Sequence, residues 1–298
     1  MNNFREILDY RSWNINGYSD DIHKYLLKLH VSKSLPDILF LSETKKDHGY
    51  LQLKFDEFTD YNFIINSHNP WKYHGVALLI HKKINFCHND KLLNIPLRND
   101  SKNCNDATDG RLIHVTIYIG EILLATDNTC NKSNNYLELI GTYSPNSGRQ
   151  DNVKLNYRVN EWDPALYSFL NNLREESHVI WLGDINVALD DIDVSSPSTM
   201  KQYAGFTIQE RDSFRKFLKS KPQSEYTMFT NSWIDIWRNM RDNTPLYTWV
   251  GNSNKDDYGM RLDNIIISAS LLSGVITVYS CNEKCFSDHI PIGFKLRY

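Results

Sequence analysis

The chain carries no Cys-x-x-Cys pair, no polybasic tail and no long apolar run. Its five cysteines, Cys87, Cys104, Cys130, Cys281 and Cys285, are an odd number spread over 298 residues. The closest two, Cys281 and Cys285, have no second Cys/His pair at zinc-ligand spacing, which excludes a zinc module. Reduced thiols of an intracellular protein are the simplest reading. The longest apolar run, Val76 to Ile80, is far short of the roughly 20 residues that span a bilayer. The first ten residues lack the apolar core of a secretory signal. An intracellular protein without a membrane partner is therefore expected, with nucleus and cytoplasm undecided. No Pro/Gly/Ser-rich linker divides the chain, so one domain over 1–298 is expected, with 1–7 as a short N-terminal extension. Charge of one sign is also scarce: 33 Lys and Arg face 36 Asp and Glu, a formal charge of -3. Taken alone, that balance argues mildly against a nucleic-acid partner.

What is present is a mixed pattern. A hydrophobic share of 41% with 23% charged residues excludes a disordered or collagen-like chain. β-type runs recur at Asp37–Leu41, Tyr61–Ile65, Gly75–Ile80, Arg111–Ile119, Glu121–Ala125, Tyr136–Tyr143, His178–Leu182, Arg261–Ile267, Gly274–Tyr279 and Ile290–Leu296. Ile119-Gly120-Glu121 suggests a hairpin and hence antiparallel pairing. Ile22, Tyr25, Leu26 and Leu29 keep a helical period after a Ser19 or Asp20 cap, and Ala165 to Leu173 do so after Pro164. Thr207-Ile208-Gln209-Glu210 reads as a capping box opening a third helix, with Phe214, Phe217 and Leu218 on its buried face. Many strands with few helices imply packed sheets covered by helices. The polar stretches 98–110, 125–135, 190–202 and 251–257 read as surface loops.

Polar residues gather where strands end. Asn14 and Asn16 close the first strand, and Asp184 and Asn186 close another about 170 residues later. Two sheets with related halves would bring both ends to one mouth. Glu43 follows Ile38–Ser42, Asp263 lies within Arg261–Ile267, and Asp288-His289 precedes Ile290-Pro291-Ile292. Each has a plain structural reading: a solvated loop acid for Glu43, a turn acid for Asp184, a strand-edge pair of Asp263 with Arg261. His289 would be a satisfied strand-start histidine, and Asn14 and Asn16 turn formers before Gly17. Together they form a kit. Oxygen ligands without a Cys/His set suit a hard cation such as Mg²⁺. A metal, a histidine and several amides around one point hold a phosphodiester while a carboxylate orients water.

The segments Ser12–Gly17, Leu41–Lys45, Gly110–Ile113, Tyr143–Arg149, Gly183–Val187, Ala204–Arg211, Tyr247–Trp249, Arg261–Asp263 and Ser287–Ile292 resemble, in order, the motifs of the exonuclease III / apurinic-apyrimidinic (AP) endonuclease family. That family lies within the endonuclease–exonuclease–phosphatase superfamily. The resemblance implies an α/β fold: a four-layered α/β sandwich of two mixed β-sheets packed face to face and flanked by helices, DNase I-like. It implies Glu43 as the main metal carboxylate, with Asn16 and Asp288 supporting it. Asn14 and Asn186 resemble amides that orient phosphate and base. Asp184 resembles the group that activates water, and Tyr143 the phenol on the scissile phosphate. His289 resembles the phosphate-binding histidine held by Asp263. Arg149 resembles a residue that enters or clamps the duplex, and Arg111 a basic residue placed near the substrate. Trp249, Met260 and Leu262 match positions lining a pocket for an extruded abasic sugar. Met260 stands where a Trp is usual and Asn264 where a Tyr is usual, which loosens the pocket but leaves the metal chemistry alone.

The implied activity is Mg²⁺-dependent (or Mn²⁺-dependent) incision of double-stranded DNA 5′ to abasic sites. It leaves a 3′-hydroxyl and a 5′-deoxyribose phosphate, with 3′→5′ exonuclease or 3′-phosphodiesterase activity beside it, by a monomer. Two alternatives stay open: a phosphoesterase acting on an inositol or lipid phosphate, and a non-catalytic DNA-binding protein. The Ala204–Arg211 segment speaks against the first, since those relatives generally lack it. The filled catalytic positions speak against the second. The net charge then implies modest, salt-sensitive binding to undamaged DNA.

Overall fold

Strand β8 shows why two layers of helices are needed. Its residues His178–Asp184 are buried without exception. Ile180 and Leu182 pack toward the facing sheet, while Val179 and Trp181 pack outward under helices. A strand apolar on both faces must be covered on both.

The computed structural model describes residues 6–67, 73–89, 110–119, 136–148, 151–220, 232–251, 258–281 and 286–298. The first half holds β1 (Ile7–Asn14), α1 (Asp20–Val31), β2 (Ile38–Ser42), α2 (His48–Phe55), β3 (Tyr61–Asn66), β4 (Val76–His81), β5 (Asn85–His88), β6 (Leu112–Tyr118) and β7 (Tyr136–Tyr143). Then come α3 (Asn152–Tyr157), a π-helical turn (Arg158–Trp162), α4 (Asp163–Glu176), β8, α5 (Pro197–Met200) and α6 (Ile208–Leu218). The rest comprises β9 (Trp233–Asp235), α7 (Ile236–Met240), β10 (Trp249–Gly251), β11 (Tyr258–Met260), β12 (Asp263–Ser268), β13 (Val275–Ser280) and β14 (Ile292–Arg297).

Among the described residues, two six-stranded sheets run β13-β14-β1-β2-β4-β3 and β5-β6-β7-β8-β12-β9, with β10 and β11 as a separate ribbon. Each large sheet has one parallel pair, β1 with β2 and β7 with β8, amid antiparallel neighbours. Both are therefore mixed, and each parallel pair is bridged by helix, α1 in one and α3–α4 in the other. Between the sheets lie Tyr10, Phe40 and Leu78 from one side and Val115, Leu139 and Ile265 from the other. Gly141 sits where they approach most closely, because a Cβ there would strike the Phe40 ring. Outside, α1 and α2 cover the first sheet through Ile22, Leu26 and Leu51, and α4 and α6 cover the second through Leu166, Leu170 and Phe214. These are the four layers that the resemblance implies, two mixed sheets packed face to face and flanked by helices.

The local expectations fare well, and the departures have physical reasons. Ser19 caps α1 through its hydroxyl, 3.2 Å from the Ile22 N–H. Thr207 and Glu210 form the reciprocal box, with the Glu210 N–H 3.3 Å from Thr207 Oγ1 and the Thr207 N–H 3.2 Å from Glu210 Oε2. Thr207→Ala is expected to lower unfolding stability by about 1 kcal/mol, read as a fall in the urea midpoint at constant slope. Strand β12 begins at Asp263, not Arg261, because the Arg261 N–H donates to the Asp193 carbonyl at 2.8 Å and the Leu262 N–H to Thr248 Oγ1 at 3.0 Å, outside the ladder, while the Arg261 guanidinium turns to Asp193 and Asp235, at 2.8 and 2.7 Å. Arg261 is thus no strand-edge partner of Asp263. Strand β14 starts at Ile292, not Ile290, since Pro291 has no N–H for a ladder. Ile7 pairs with Arg297 inside β1, so it belongs to the sheet and not to an extension. The 190–202 loop carries a 3₁₀ turn, Asp191–Asp193, and the short α5. The expected hairpin at 119–121, the strand Glu121–Ala125, the 125–135 loop and Arg149 lie outside the described residues. So do Cys104, Cys130 and Cys285, while Cys87 is exposed and Cys281 half-buried.

Candidate active site

The two strand ends that echo each other in sequence meet. The β1 end and the β8 end face one another across the two sheets, and the Asn14 amide joins them. Its Nδ2 donates to Glu43 Oε1 and to Asp184 Oδ2, each at 2.9 Å. Asn14 is fully buried, so it orients two carboxylates from behind and does not form the cleft surface. Its Oδ1 accepts the Asn16 N–H at 3.0 Å, and Asp184 Oδ1 accepts the Asn186 N–H at 3.0 Å. The same turn thus closes both strands. Asn16, Glu43, Lys45 and Asn186 all have φ between 47° and 56°, left-handed backbone without glycine. Such residues each cost about 1–3 kcal/mol and persist where the surroundings fix them, as they do here. The Glu43 carbonyl accepts the Gly17 N–H at 2.7 Å, and the Thr44 N–H donates to the Gly75 carbonyl at 2.9 Å.

These groups line a cleft of about 340 Å³. Its polar floor is Asn16, Glu43, Asp184, Asn186, Asp288 and His289, with Tyr143 and Asn146 at the side. Its wall is Tyr203, Ala204, Trp249, Met260 and Leu262. Thr248, at the base of this wall, accepts the N–H groups of Leu262 and Asp263 at 3.0 Å each, which fixes β12 against the β10 segment. Gly205 explains its place beside Ala204. It has φ +86°, and a Cβ there would meet Leu262 Cδ2 at 2.9 Å and the Asn186 carbonyl oxygen at 3.2 Å. Only glycine lets the wall close on the floor.

His289 is part of the floor, with Nδ1 2.7 Å from Asp263 Oδ2 beneath it. Burial disfavours the imidazolium, but the Asp263 carboxylate outweighs it and pushes His289 up to about 9. Burial, with Asp263 and Glu43 close by, pushes Asp184 up to about 7 against the opposing pull of His289 and the Asn14 amide. Tyr143 hydrogen-bonds Glu43, and burial together with that carboxylate raises its phenol well above the usual range, so it stays a donor. Asp288 accepts from Asn16 Nδ2 at Oδ1 and from the Trp249 indole at Oδ2, both at 3.0 Å. The wall tryptophan thereby fixes an acid of the floor.

All the described site residues read from the sequence meet here except Arg111. Its guanidinium stands behind Tyr143, donating to the Tyr143 carbonyl at 3.1 Å and facing the ring at 5.0 Å, and it does not line the cleft. Asp263 is likewise fully buried and reaches the cleft only through His289. Asn264 is no wall residue either: it is buried and accepts from Arg261 Nη1. Three lining residues carried no assigned role in the sequence reading: Asn146, Tyr203 and Ala204. Asn146 and Ala204 lie inside motif segments, which was the available signal.

Lys45 bears on metal binding. Its ammonium lies 2.6 Å from Glu43 Oε2 and 2.5 Å from Asn16 Oδ1, so two site oxygens already converge on one cation. Among the described residues no three His, Cys, Asp or Glu side chains form a ready cage. Magnesium does not require one: it is bound through one or two carboxylates, retained waters and substrate phosphates. Glu43, Asp288 and Asn16, oxygen donors throughout, fit that description.

A profile described as the Endonuclease/Exonuclease/phosphatase family matches residues 12–289. A "DNA-(apurinic or apyrimidinic site) endonuclease" of Dictyostelium discoideum is 30% identical over 286 residues, covering 95% of this chain and 68% of that protein. The "DNA repair nuclease APEX1" of Danio rerio is 29% identical over 283 residues, 94% of this chain and 79% of its own length. Among solved structures, the AP endonuclease from Leishmania major superposes with a TM-score of 0.74 at 22% identity, over 99% of this chain and 88% of that one, a likeness of fold. With the family profile covering residues 12–289, from the end of β1 to His289 of the cleft, and with the AP endonuclease relatives aligned over nearly the whole chain, the chain belongs to the Endonuclease/Exonuclease/phosphatase family, in its exonuclease III / AP endonuclease branch.

Proposed function

We propose that this DNA-repair nuclease is a Mg²⁺-dependent hydrolase that incises double-stranded DNA 5′ to abasic sites, leaving a 3′-hydroxyl and a 5′-deoxyribose phosphate. One observation carries the reading: the buried Asp263–His289 pair, the Asn14-bridged carboxylates and an apolar wall of Trp249, Met260 and Leu262 surround one cleft. The floor suits a phosphate, and the wall suits a baseless sugar turned out of the duplex. The abasic-site relatives point to the same substrate.

Asp184, Asn186 and Tyr143 act on water and phosphate. Asp184, held by two amides, takes the proton of the attacking water as the new P–O bond forms. The P–O3′ bond breaks, and the 3′ oxygen takes up a proton from solvent. His289, kept cationic by Asp263, stabilises charge developing on a phosphate oxygen, and the Tyr143 hydroxyl donates to another. Asn186 and Asn146 present amide groups toward the same phosphate. Glu43, Asp288 and Asn16 would hold the divalent cation, which supplies Lewis-acid charge to the phosphate and the leaving oxygen. We infer that the protein works as a monomer and inside the cell; among the described residues no helix is long and apolar enough to cross a membrane.

The deciding assay incubates a labelled duplex holding one tetrahydrofuran site with Mg²⁺, beside undamaged duplex and an EDTA control. Metal-dependent incision 5′ to the tetrahydrofuran is expected. Its absence, with turnover of an inositol or lipid phosphate instead, would overturn the reading.

The same assay run against pH gives a second expectation. Asp184 works deprotonated and, without metal, gains that form as pH rises through about 7, whereas His289 works protonated and loses that form above about 9; a cation held by Glu43 and Asp288 would move both limbs lower. The rate should therefore form a bell with a maximum between the two limbs. A profile still climbing above about pH 10, beyond both limbs, would show that His289 does not act as a cation.

A further inference from the structure

A guanidinium sealed inside the molecule ties together the two loops that carry Tyr143 and Asp184. Arg158 opens the π-helical turn between α3 and α4 and is 1% exposed. Its three donor groups serve three separate segments. Nη1 donates to the Pro145 carbonyl at 2.7 Å, Nη2 to the Ile185 carbonyl at 2.6 Å, and Nε to Asp163 Oδ1 at 2.5 Å.

Those carbonyls lie between site residues. Pro145 separates Ser144, whose carbonyl accepts from Asn186 Nδ2 at 2.9 Å, from Asn146, whose amide donates to Asn186 Oδ1 at 3.2 Å. Ile185 separates Asp184 from Asn186. The Ile185 carbonyl and the Asn186 N–H belong to one peptide group, and that N–H donates to Asp184 Oδ1 at 3.0 Å. Donation into the carbonyl polarises the peptide and strengthens its N–H as a donor to Asp184. The guanidinium also holds Asn186 in its left-handed conformation, φ 56°. Asp163, itself 1% exposed, anchors Arg158 from the far side and accepts from Ser213 Oγ of α6 at 3.0 Å. Stability alone is a weak reason to bury such a pair, because apolar residues of similar volume commonly serve as well. π-helical turns, moreover, recur at functional sites.

We propose that Arg158 is a positioning residue for phosphodiester cleavage, touching no substrate but setting, through Pro145 and Ile185, where Asn146, Asp184 and Asn186 stand in the cleft. The proposal rests on the cleft being the phosphodiester site. Lysine cannot replace Arg158, since one ammonium on a flexible stem cannot serve three acceptors lying in the plane of a fork.

The experiment measures kcat, KM and Tm on the tetrahydrofuran duplex for wild type, Arg158→Lys, Asp163→Asn and Arg174→Met. Arg174 is a control: a similarly buried arginine that donates to the Ser220 carbonyl and lies over the Trp233 ring, away from the cleft. Arg158→Lys should lower kcat about 10²-fold, the cost of a site residue displaced by about 1 Å, with KM nearly unchanged. Asp163→Asn, which keeps the shape and an acceptor for Nε, should lower kcat less and in the same direction, and it decides the matter should Arg158→Lys not fold. Arg174→Met should leave kcat unchanged whatever the direction in which its Tm moves. Wild-type kcat in Arg158→Lys or, if that does not fold, in Asp163→Asn would overturn the proposal. So would a kcat loss of the same size in Arg174→Met. No incision by wild type would instead overturn the reading of the cleft itself.

Discussion

Asp184→Asn is expected to lower incision at the tetrahydrofuran site by about 10²–10⁴-fold, the range of a lost general base, and to leave the fold intact. Asparagine keeps the shape, but its single carbonyl oxygen can accept from the Asn186 N–H or from Asn14 and not from both, and it cannot take a proton from water. The stability effect has a definite sign. Asp184 ionises near 3.8 in the unfolded chain and is pushed up to about 7 in the fold. Between those values the native state binds more protons than the unfolded state, so stability falls as pH rises through that window and stays lower above it. In metal-free buffer Asp184→Asn should remove that fall, giving a flatter Tm-versus-pH curve. A variant that cleaves like wild type would take the proton-acceptor role away from Asp184. A variant that fails to fold would mean the side chain is structural first.

His289→Ala is expected to cost about 10²–10³-fold in kcat, the range seen when one donor to a developing oxyanion is removed. Asp263 separates charge from mere presence. In Asp263→Asn the imidazole remains in place, but the carboxylate that pushes His289 up to about 9 is gone. Burial then dominates, and the alkaline limb of the rate profile should move downward, at or below the ordinary histidine range. Measuring the full pH profile of Asp263→Asn therefore tests the pair as a unit. A lower rate with an unmoved limb would mean that Asp263 positions the ring without setting its charge.

Much of this site was legible because its chemistry sits in short segments at strand ends. Asp184 and Asn186, Glu43, and Asp288 with His289 each follow or precede an apolar run, and in α/β sheets such ends converge on ligands. The capping box at Thr207 and Glu210 was legible for the same reason: all its partners lie within three residues. What was not legible depends on distance along the chain. Nothing near Asn14 tells that its amide holds a carboxylate 170 residues away, since turn-forming before Gly17 explains it equally well. Arg261 looked like a neighbour for Asp263, yet it pairs with Asp193, 68 positions away, because Asp263 is turned to His289. Arg111 read as a substrate contact and stands behind Tyr143. The short strands β9, β10 and β11 were missed because three residues carry no period.

From period-2 strands and helix caps, all local features, the sequence by itself determined packed sheets covered by helices; its ordered motifs carried the resemblance that implies the family, the fold class and the chemical types available. The candidate metal donors it offered are oxygen atoms. Only the tertiary structure decided which oxygens share an amide, that the Lys45 ammonium lies between Glu43 and Asn16, and that Arg158 grips both loops of the cleft. The physical reason is that these are contacts between chain segments far apart in sequence. Their geometry exists only once the two sheets have packed face to face, and burial then gives it energetic weight. The formal charge of -3 said little about DNA because it counts acids such as Asp184 and Asp263 equally with those in water. In the folded molecule these two are buried around a histidine, and their effect is confined to the cleft.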